Sequence, residues 1–191
     1  MPIHRLKRDA FKPMPWKNGG GETAEIAVFP HGAGLEDFGW RLSMARVAAD
    51  GPFSCFAGIE RTLTVLDGAG FRLTVDGTEH LLTPASAPLR FAGDVLASAA
   101  LLAGPVTDLN VMTRRGAFRH EVRRVALDIG QHIDASGGFG FLLCKSGSFE
   151  ALGTNDIISL AADDCLIAED EAVTLLACEP ASAILVSIFP A

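Results

Sequence analysis

The feature that most constrains this chain is a repeat. Slid against itself by about 77 residues, with no gap, the sequence falls into register along four stretches. Gly70-Phe71-Arg72-Leu73 lies over Gly147-Ser148-Phe149-Glu150, and Asp76-Gly77-Thr78-Glu79 over Gly153-Thr154-Asn155-Asp156. Phe91-Ala92-Gly93-Asp94 lies over Ala168-Glu169-Asp170-Glu171, and Leu109 to Met112 over Val186 to Phe189. Identity is low, and what recurs is a rhythm of turns and apolar pairs. Two unrelated all-β halves sharing that rhythm remain the alternative. A duplicated all-β unit of this length points to a jelly-roll present twice.

Strand patterns fill both copies. Thr23 to Phe29, Gly39 to Ala45, Arg61 to Leu66 and Thr107 to Thr113 alternate or run β-branched. Phe71, Leu73 and Val75 share a face, and Asp76-Gly77 closes their strand. Arg61 to Leu66 ends at Asp67-Gly68, a hairpin signal. Val95 to Leu102 is rich in alanine and reads equally as strand or helix. No long amphipathic helix with clear caps stands out. The fold class is therefore all-β, with a cupin-like barrel over residues 1–119 and a second over residues 120–191: a bicupin.

Hydrophobic residues make up 49% of the 191, enough for a sizeable core. The net charge of −7 has no offsetting run of Lys or Arg, which argues against a nucleic-acid partner. The longest apolar run, Val95 to Val106, is broken by Ser98, Gly104 and Pro105 and is too short to span a bilayer. Cys55, Cys144, Cys165 and Cys178 are scattered, with no C-x-x-C, and read as buried thiols of a reducing compartment. A cytoplasmic protein with no membrane partner is expected. A homodimer is compatible with the sequence.

A cupin-like barrel raises the question of a metal. Gly51 to Glu60, where a His-x-His pair would stand, holds no histidine, and neither does Gly104 to Asn110. His4, His31, His80, His120 and His132 are isolated from one another. Asp108, Glu60 and Cys55 without an imidazole would be an unusual transition-metal set. No metal, no cofactor and no catalytic residue is expected. Ser43 and Ser54 have no sequence-adjacent histidine to activate them.

What remains is a set suited to binding an anion. Pro15 to Thr23 places Trp16, Lys17 and Asn18 before three glycines. Glycines in a row suit positive φ or a backbone lying too close to its neighbour for a Cβ. Lys17 precedes the glycines and a strand follows them, the reverse of a P-loop. Residues two apart on a strand share a face. Arg41 and Ser43 therefore oppose Trp40, Leu42 and Met44, while Asp108, Asn110, Met112 and Arg114 share one face. Arg61 lies on the apolar face of Leu63 and Val65, so it points either at the barrel mouth or inward at a partner. Lys17, Asn18, Arg41, Ser43, Arg61, Asn110, Met112 and Arg114 form the candidate ligand site. Arginine forks match carboxylates bidentately.

These residues carry a family resemblance. Pro15-Trp16-Lys17-Asn18-Gly19-Gly20-Gly21-Glu22-Thr23, Trp40 to Ala45, Gly51 to Ser54, Gly58 to Arg61 and Asp108 to Met112 resemble the HutD/Ves family. The resemblance implies a bicupin without a bound metal. It also implies a regulator of histidine utilisation that senses a pathway intermediate such as urocanate or formylglutamate. It carries pocket roles over to Lys17, Asn18, Arg41, Arg61, Asn110 and Arg114. The function expected is a non-enzymatic small-carboxylate-binding regulator. The alternative is a metal-independent cupin enzyme acting on a small carboxylate.

Overall fold

The computed structural model describes residues 3–11, 13–16, 20–135 and 138–191. Contacts divide the chain into two compact units. The N-terminal unit comprises Phe11–Arg119 with Ala191, and the C-terminal unit Met1–Ala10 with His120–Pro190.

The N-terminal unit holds two antiparallel sheets. The six-stranded sheet runs, edge to edge, β2 (Pro13–Pro15), β3 (Gly21–Phe29), β4 (Trp40–Val47), β11 (Val106–Arg114), β6 (Ile59–Asp67) and β9 (Leu89–Ala92). The four-stranded sheet runs β5 (Gly51–Pro52), β10 (Ala97–Leu101), β7 (Phe71–Val75) and β8 (Thr78–Leu82). Alternation sends Leu63, Val65 and Phe91 from the first sheet and Phe71, Leu73, Val75, Ala97 and Ala99 from the second into one core.

The C-terminal unit repeats this plan. Its five-stranded sheet runs β1 (His4–Lys7), β17 (Asp164–Glu169), β14 (Phe139–Ser146), β19 (Ala181–Pro190) and β12 (Phe118–Leu127). Its four-stranded sheet runs β13 (His132–Ala135), β18 (Val173–Ala177), β15 (Ser148–Leu152) and β16 (Ile157–Ala161). The order β12-β19-β14-β17 mirrors β4-β11-β6-β9, and β13-β18-β15-β16 mirrors β5-β10-β7-β8. The sequence repeat is thus a repeat of topology, strand for strand, but not at a constant 77-residue offset: the matching bulges set Asp108 against Ala183 and Val65 against Cys144, two residues from the gapless register.

Several local expectations meet the structure directly. Asp76 and Gly77 both take positive φ (46° and 77°) and join β7 to β8 in a two-residue hairpin with Val75 opposite Thr78. That turn needs left-handed backbone at both central positions, which Asp tolerates and Gly favours. The ambiguous run after Val95 is a strand, with Ala97 and Ala99 turned inward. Asp67-Gly68 is not a hairpin: β6 and β7 lie in different sheets, so the chain crosses the sandwich there. Cys144 and Cys165 are buried, but Cys55 and Cys178 are exposed, and all four are free. Among the described residues no helix is long and apolar enough to cross a membrane.

The first ten residues depart from the division at residue 119. β1 pairs with β17, from His4 opposite Ile167 to Lys7 opposite Asp164, which places it in the C-terminal unit. A short strand takes whichever open edge is offered, and that choice is long-range. Asp164 anchors it. This carboxylate is almost fully buried, ion-paired to Lys7 Nζ at 2.6 Å, and accepts the Ala161 amide at 3.0 Å. Burial would raise its pKa, but the Lys7 and Ala161 bonds and the charges of Lys7 and Arg5 outweigh it and hold the group below the ordinary carboxylate range. Asp164→Ala is expected to cost about 1–3 kcal/mol by leaving the Ala161 amide unpaired and Lys7 without its partner. Asp164→Asn, which keeps an acceptor, is expected to cost less. Chemical denaturation of both variants checks the order.

Candidate functional site

The register of the six-stranded sheet lays out the site as a grid. Thr23, Ala45, Asp108 and Val65 stand across from one another on β3, β4, β11 and β6. Glu25, Ser43, Asn110 and Leu63 form the next row, and Arg41, Met112 and Arg61 the one after. Because all these pairs are antiparallel and in register, the polar members of each row share one face of the sheet. They line a cavity of about 680 Å³, within the range of small-molecule sites.

Arg61 is the centre of the polar wall. It is 7% exposed, and its Nε and Nη2 both donate to Asn110 Oδ1, at 2.8 and 2.5 Å. The rings of Phe53 and Phe91 flank its guanidinium, 4.8 and 5.5 Å from centroid to Cζ. Such contacts stabilise a desolvated cation. Asn110 Nδ2 donates in turn to Asp108 Oδ1. Arg41 donates from Nε to Glu25 Oε2 at 2.8 Å and from Nη1 to Ser43 Oγ at 3.3 Å. The rest of the lining is largely apolar and includes Trp16, Leu35, Pro52, Phe53 and Phe56.

Burial sets the charge states. It lowers Arg61 to about 10, with Asp108 opposing the shift and Arg41 adding to it. The guanidinium stays charged at neutral pH. Burial pushes Asp108 up to about 7, against the pull of Arg61 and the Asn110 bond. Asp108 Oδ2 is buried and has no hydrogen-bond partner among the described residues.

The structure brings together Arg41, Ser43, Arg61, Asn110 and Met112. It does not bring Arg114 to them. Strand parity continues to the end of β11, but there the guanidinium of Arg114 donates to the backbone carbonyls of Phe38 and Glu36 and sits over the Phe38 ring. Lys17 and Asn18 lie outside the described residues. The third glycine of their stretch is explained by close approach: a Cβ on Gly21 would collide with the Arg46 carbonyl oxygen and the Trp16 ring. Trp16 Nε1 donates to Thr23 Oγ1 at 2.8 Å, so the ring forms part of the cavity wall. Sequence reasoning missed Glu25, Phe53 and Phe91. Glu25 was within reach, since it shares parity with Thr23 on β3; the two rings arrive from other parts of the fold.

The C-terminal unit supplies an internal comparison. There Gly140 stands opposite Ser187, Leu142 opposite Leu185 and Cys144 opposite Ala183. Matching core-facing Leu63 and Val65 to core-facing Leu142 and Cys144 puts Gly140 at the place of Arg61. Leu185 then takes the place of Asn110, and Ala183 that of Asp108. Leu185 and Ala183 belong to the hydrophobic core. The polar wall belongs to one copy of the repeat.

The HutD family model matches residues 8–186. The chain belongs to the HutD family. It is 37% identical over 166 residues to an uncharacterised 21.2 kDa protein in the hutC 3′ region of Pseudomonas putida, covering 86% of this chain and 85% of that one. It is 40% identical over 137 residues to protein Ves of Citrobacter koseri, covering 71% and 69%. Among solved structures, HutD of Pseudomonas fluorescens SBW25 in a formate condition matches with TM-score 0.81 and 31% identity over 99% of both chains. A conserved protein of unknown function from Pseudomonas aeruginosa PAO1 matches with TM-score 0.88 and 33% identity over 99% and 100%. Ylba of Escherichia coli (TM-score 0.73, 12% identity, 97% and 90% covered) shares the fold alone. The fold is that of a bicupin. Among the described residues no group of three or more His, Cys, Asp or Glu side chains is placed to hold a metal ion.

The raised Asp108 makes a stability prediction. Between about pH 4 and pH 7 the folded protein holds this proton and the unfolded chain does not. The group's contribution is therefore full below the unfolded pKa and is lost as pH rises to about 7. Asp108→Asn is expected to abolish that slope. The gap in unfolding free energy between variant and parent should widen in favour of the variant by on the order of 4 kcal/mol across this window. Denaturant titrations at several pH values check it, and parallel profiles would count against a protonated Asp108.

Proposed function

We propose that the N-terminal unit is a non-enzymatic receptor for a small carboxylate, and that the protein uses it to regulate histidine utilisation. One observation carries the proposal. Arg61 is a buried cation on a cavity wall, and its protein partner is an amide rather than a carboxylate. Among the described residues Nη1 of Arg61 has no acceptor. Burying an unpaired charge costs several kcal/mol. An anionic ligand in the cavity would offset that cost.

The charge count agrees. Glu25 is already engaged by Arg41. Asp108, held near 7, supplies only a partial negative charge at neutral pH. The apolar lining suits the carbon body of a ligand whose carboxylate meets Arg61. Support for the physiological role comes from the family name and from the hutC-region relative, which link the family to histidine utilisation. Urocanate and formylglutamate are the ligands to try first, with no nucleic acid or membrane involved.

Calorimetric titration with urocanate, formylglutamate, glutamate and formate tests the proposal. Saturable heat from at least one is expected. Silence from all four at millimolar concentration and low salt would remove it. Arg61→Met is expected to abolish the heat while changing stability by less than about 2 kcal/mol, because no ion-paired carboxylate is stranded. A steep fall in melting temperature with affinity intact would assign Arg61 to the scaffold instead.

A further inference from the structure

Asp108 is, among the described residues, the one buried acid in the cavity wall, and its surroundings suit a neutral carboxyl. Ionised carboxylates in proteins are stabilised by several donated hydrogen bonds or by a direct cation. Asp108 has one such bond, on Oδ1 from Asn110 Nδ2. Arg61 could have supplied more, but it spends Nε and Nη2 on Asn110 Oδ1. That choice also fixes the amide: with its oxygen facing the guanidinium, its NH2 must face Asp108. Oδ1 of Asp108 is thus used as an acceptor, and Oδ2 is left buried with no partner among the described residues. A neutral carboxyl carries one O–H donor, and Oδ2 is the oxygen left to carry it.

The charged groups around it lead to the same point. Arg61 on β6, Arg41 on β4 and Glu25 on β3 line the same cavity. Glu25 and Arg41 offset each other through their ion pair. Among the described residues, with Asp108 neutral, Arg61 leaves one uncompensated positive charge, the complement of one carboxylate. With Asp108 ionised, an entering anion meets a second negative charge on the cavity wall.

We propose that a carboxylate enters this cavity together with one proton, which Asp108 takes up on Oδ2 and donates as a hydrogen bond to a ligand oxygen. The proposal rests on the carboxylate-receptor function above and deepens it. The step balances: solvent supplies one proton, the ligand brings one negative charge, and the cavity's net charge is unchanged from the ionised free state. Binding is then sensitive to pH although the ligand's carboxylate does not titrate in that range.

N-Formylglutamate is a suitable probe, since neither of its carboxyls titrates between about pH 5.5 and pH 8.5. Calorimetry in buffers of different ionisation enthalpy gives the proton count directly. The expected result is uptake approaching one proton at the alkaline end and none at the acid end. The Kd should be flat in acid and rise about tenfold per pH unit above about pH 7. In Asp108→Asn both the uptake and the slope should vanish, whatever the residual affinity. Should that variant not fold, infrared difference spectra of the parent at the alkaline end should show a protonated carboxyl appearing when the ligand is added. Absence of binding at every pH would overturn the carboxylate site itself. Binding with a pH-independent Kd and no proton exchange would overturn the coupling and leave the site standing. A slope that survives in Asp108→Asn would assign the proton elsewhere.

Discussion

A guanidinium cannot shed its proton, so a protein that buries one must surround it with compensating groups. Arg61 shows how the N-terminal unit does this. Two aromatic faces, one amide oxygen and one distant carboxyl share the task, and none of them cancels the charge outright. The consequences spread along the sheet. Asn110 must turn its oxygen to Arg61, so its NH2 faces Asp108. Asp108 is reached through the amide rather than directly, and burial raises its pKa to about 7. Phe53 must sit against the guanidinium, and its own edge-to-face contact with Phe71 ties it to the core. One buried charge thereby organises the polar wall, the adjoining rings and the opposite sheet.

The duplicated unit shows that the fold does not require this arrangement. At the matching register the C-terminal copy carries Gly140, Ala183 and Leu185, and its interior closes as an ordinary apolar core. A jelly-roll sandwich therefore tolerates either solution on the same strands. One copy keeps the full hydrophobic contribution of its interior, while the other gives part of it up to hold polar groups around a space. That division suits a protein in which one half is selected for binding and the other for packing.

Much of this was legible in the sequence, for physical reasons that differ by residue. Period-two alternation placed Arg41, Ser43, Asp108, Asn110 and Met112 on one face because each lies in the interior of a long, regularly paired strand. The same rule failed at Arg114, where the strand ends and a long side chain is free to reach backbone carbonyls of another segment. Asp76-Gly77 was readable as the end of its strand, because a tight turn is a local matter. Asp67-Gly68 was not, since whether a strand turns back or crosses to the facing sheet depends on partners distant in sequence. The same holds for β1, whose pairing with β17 spans nearly the whole chain. Phe91 flanks Arg61 because β9 pairs with β6, and that neighbour is not encoded in either strand alone.

The strands that distinguish the N-terminal unit, β2 and β3, have a further effect. In the C-terminal copy β12 forms an edge at the position of β4, whereas in the N-terminal copy β3 pairs with β4 and moves the free edge outward to β2. That last strand is three residues long and reads Pro-Met-Pro. Two of its three residues have no N–H to offer, so it is a poor template for another chain. The element that helps wall the cavity therefore also terminates the sheet in a form that resists edge-to-edge aggregation. A variant that lengthened this strand or replaced Pro13 and Pro15 would put solubility at risk before it touched binding.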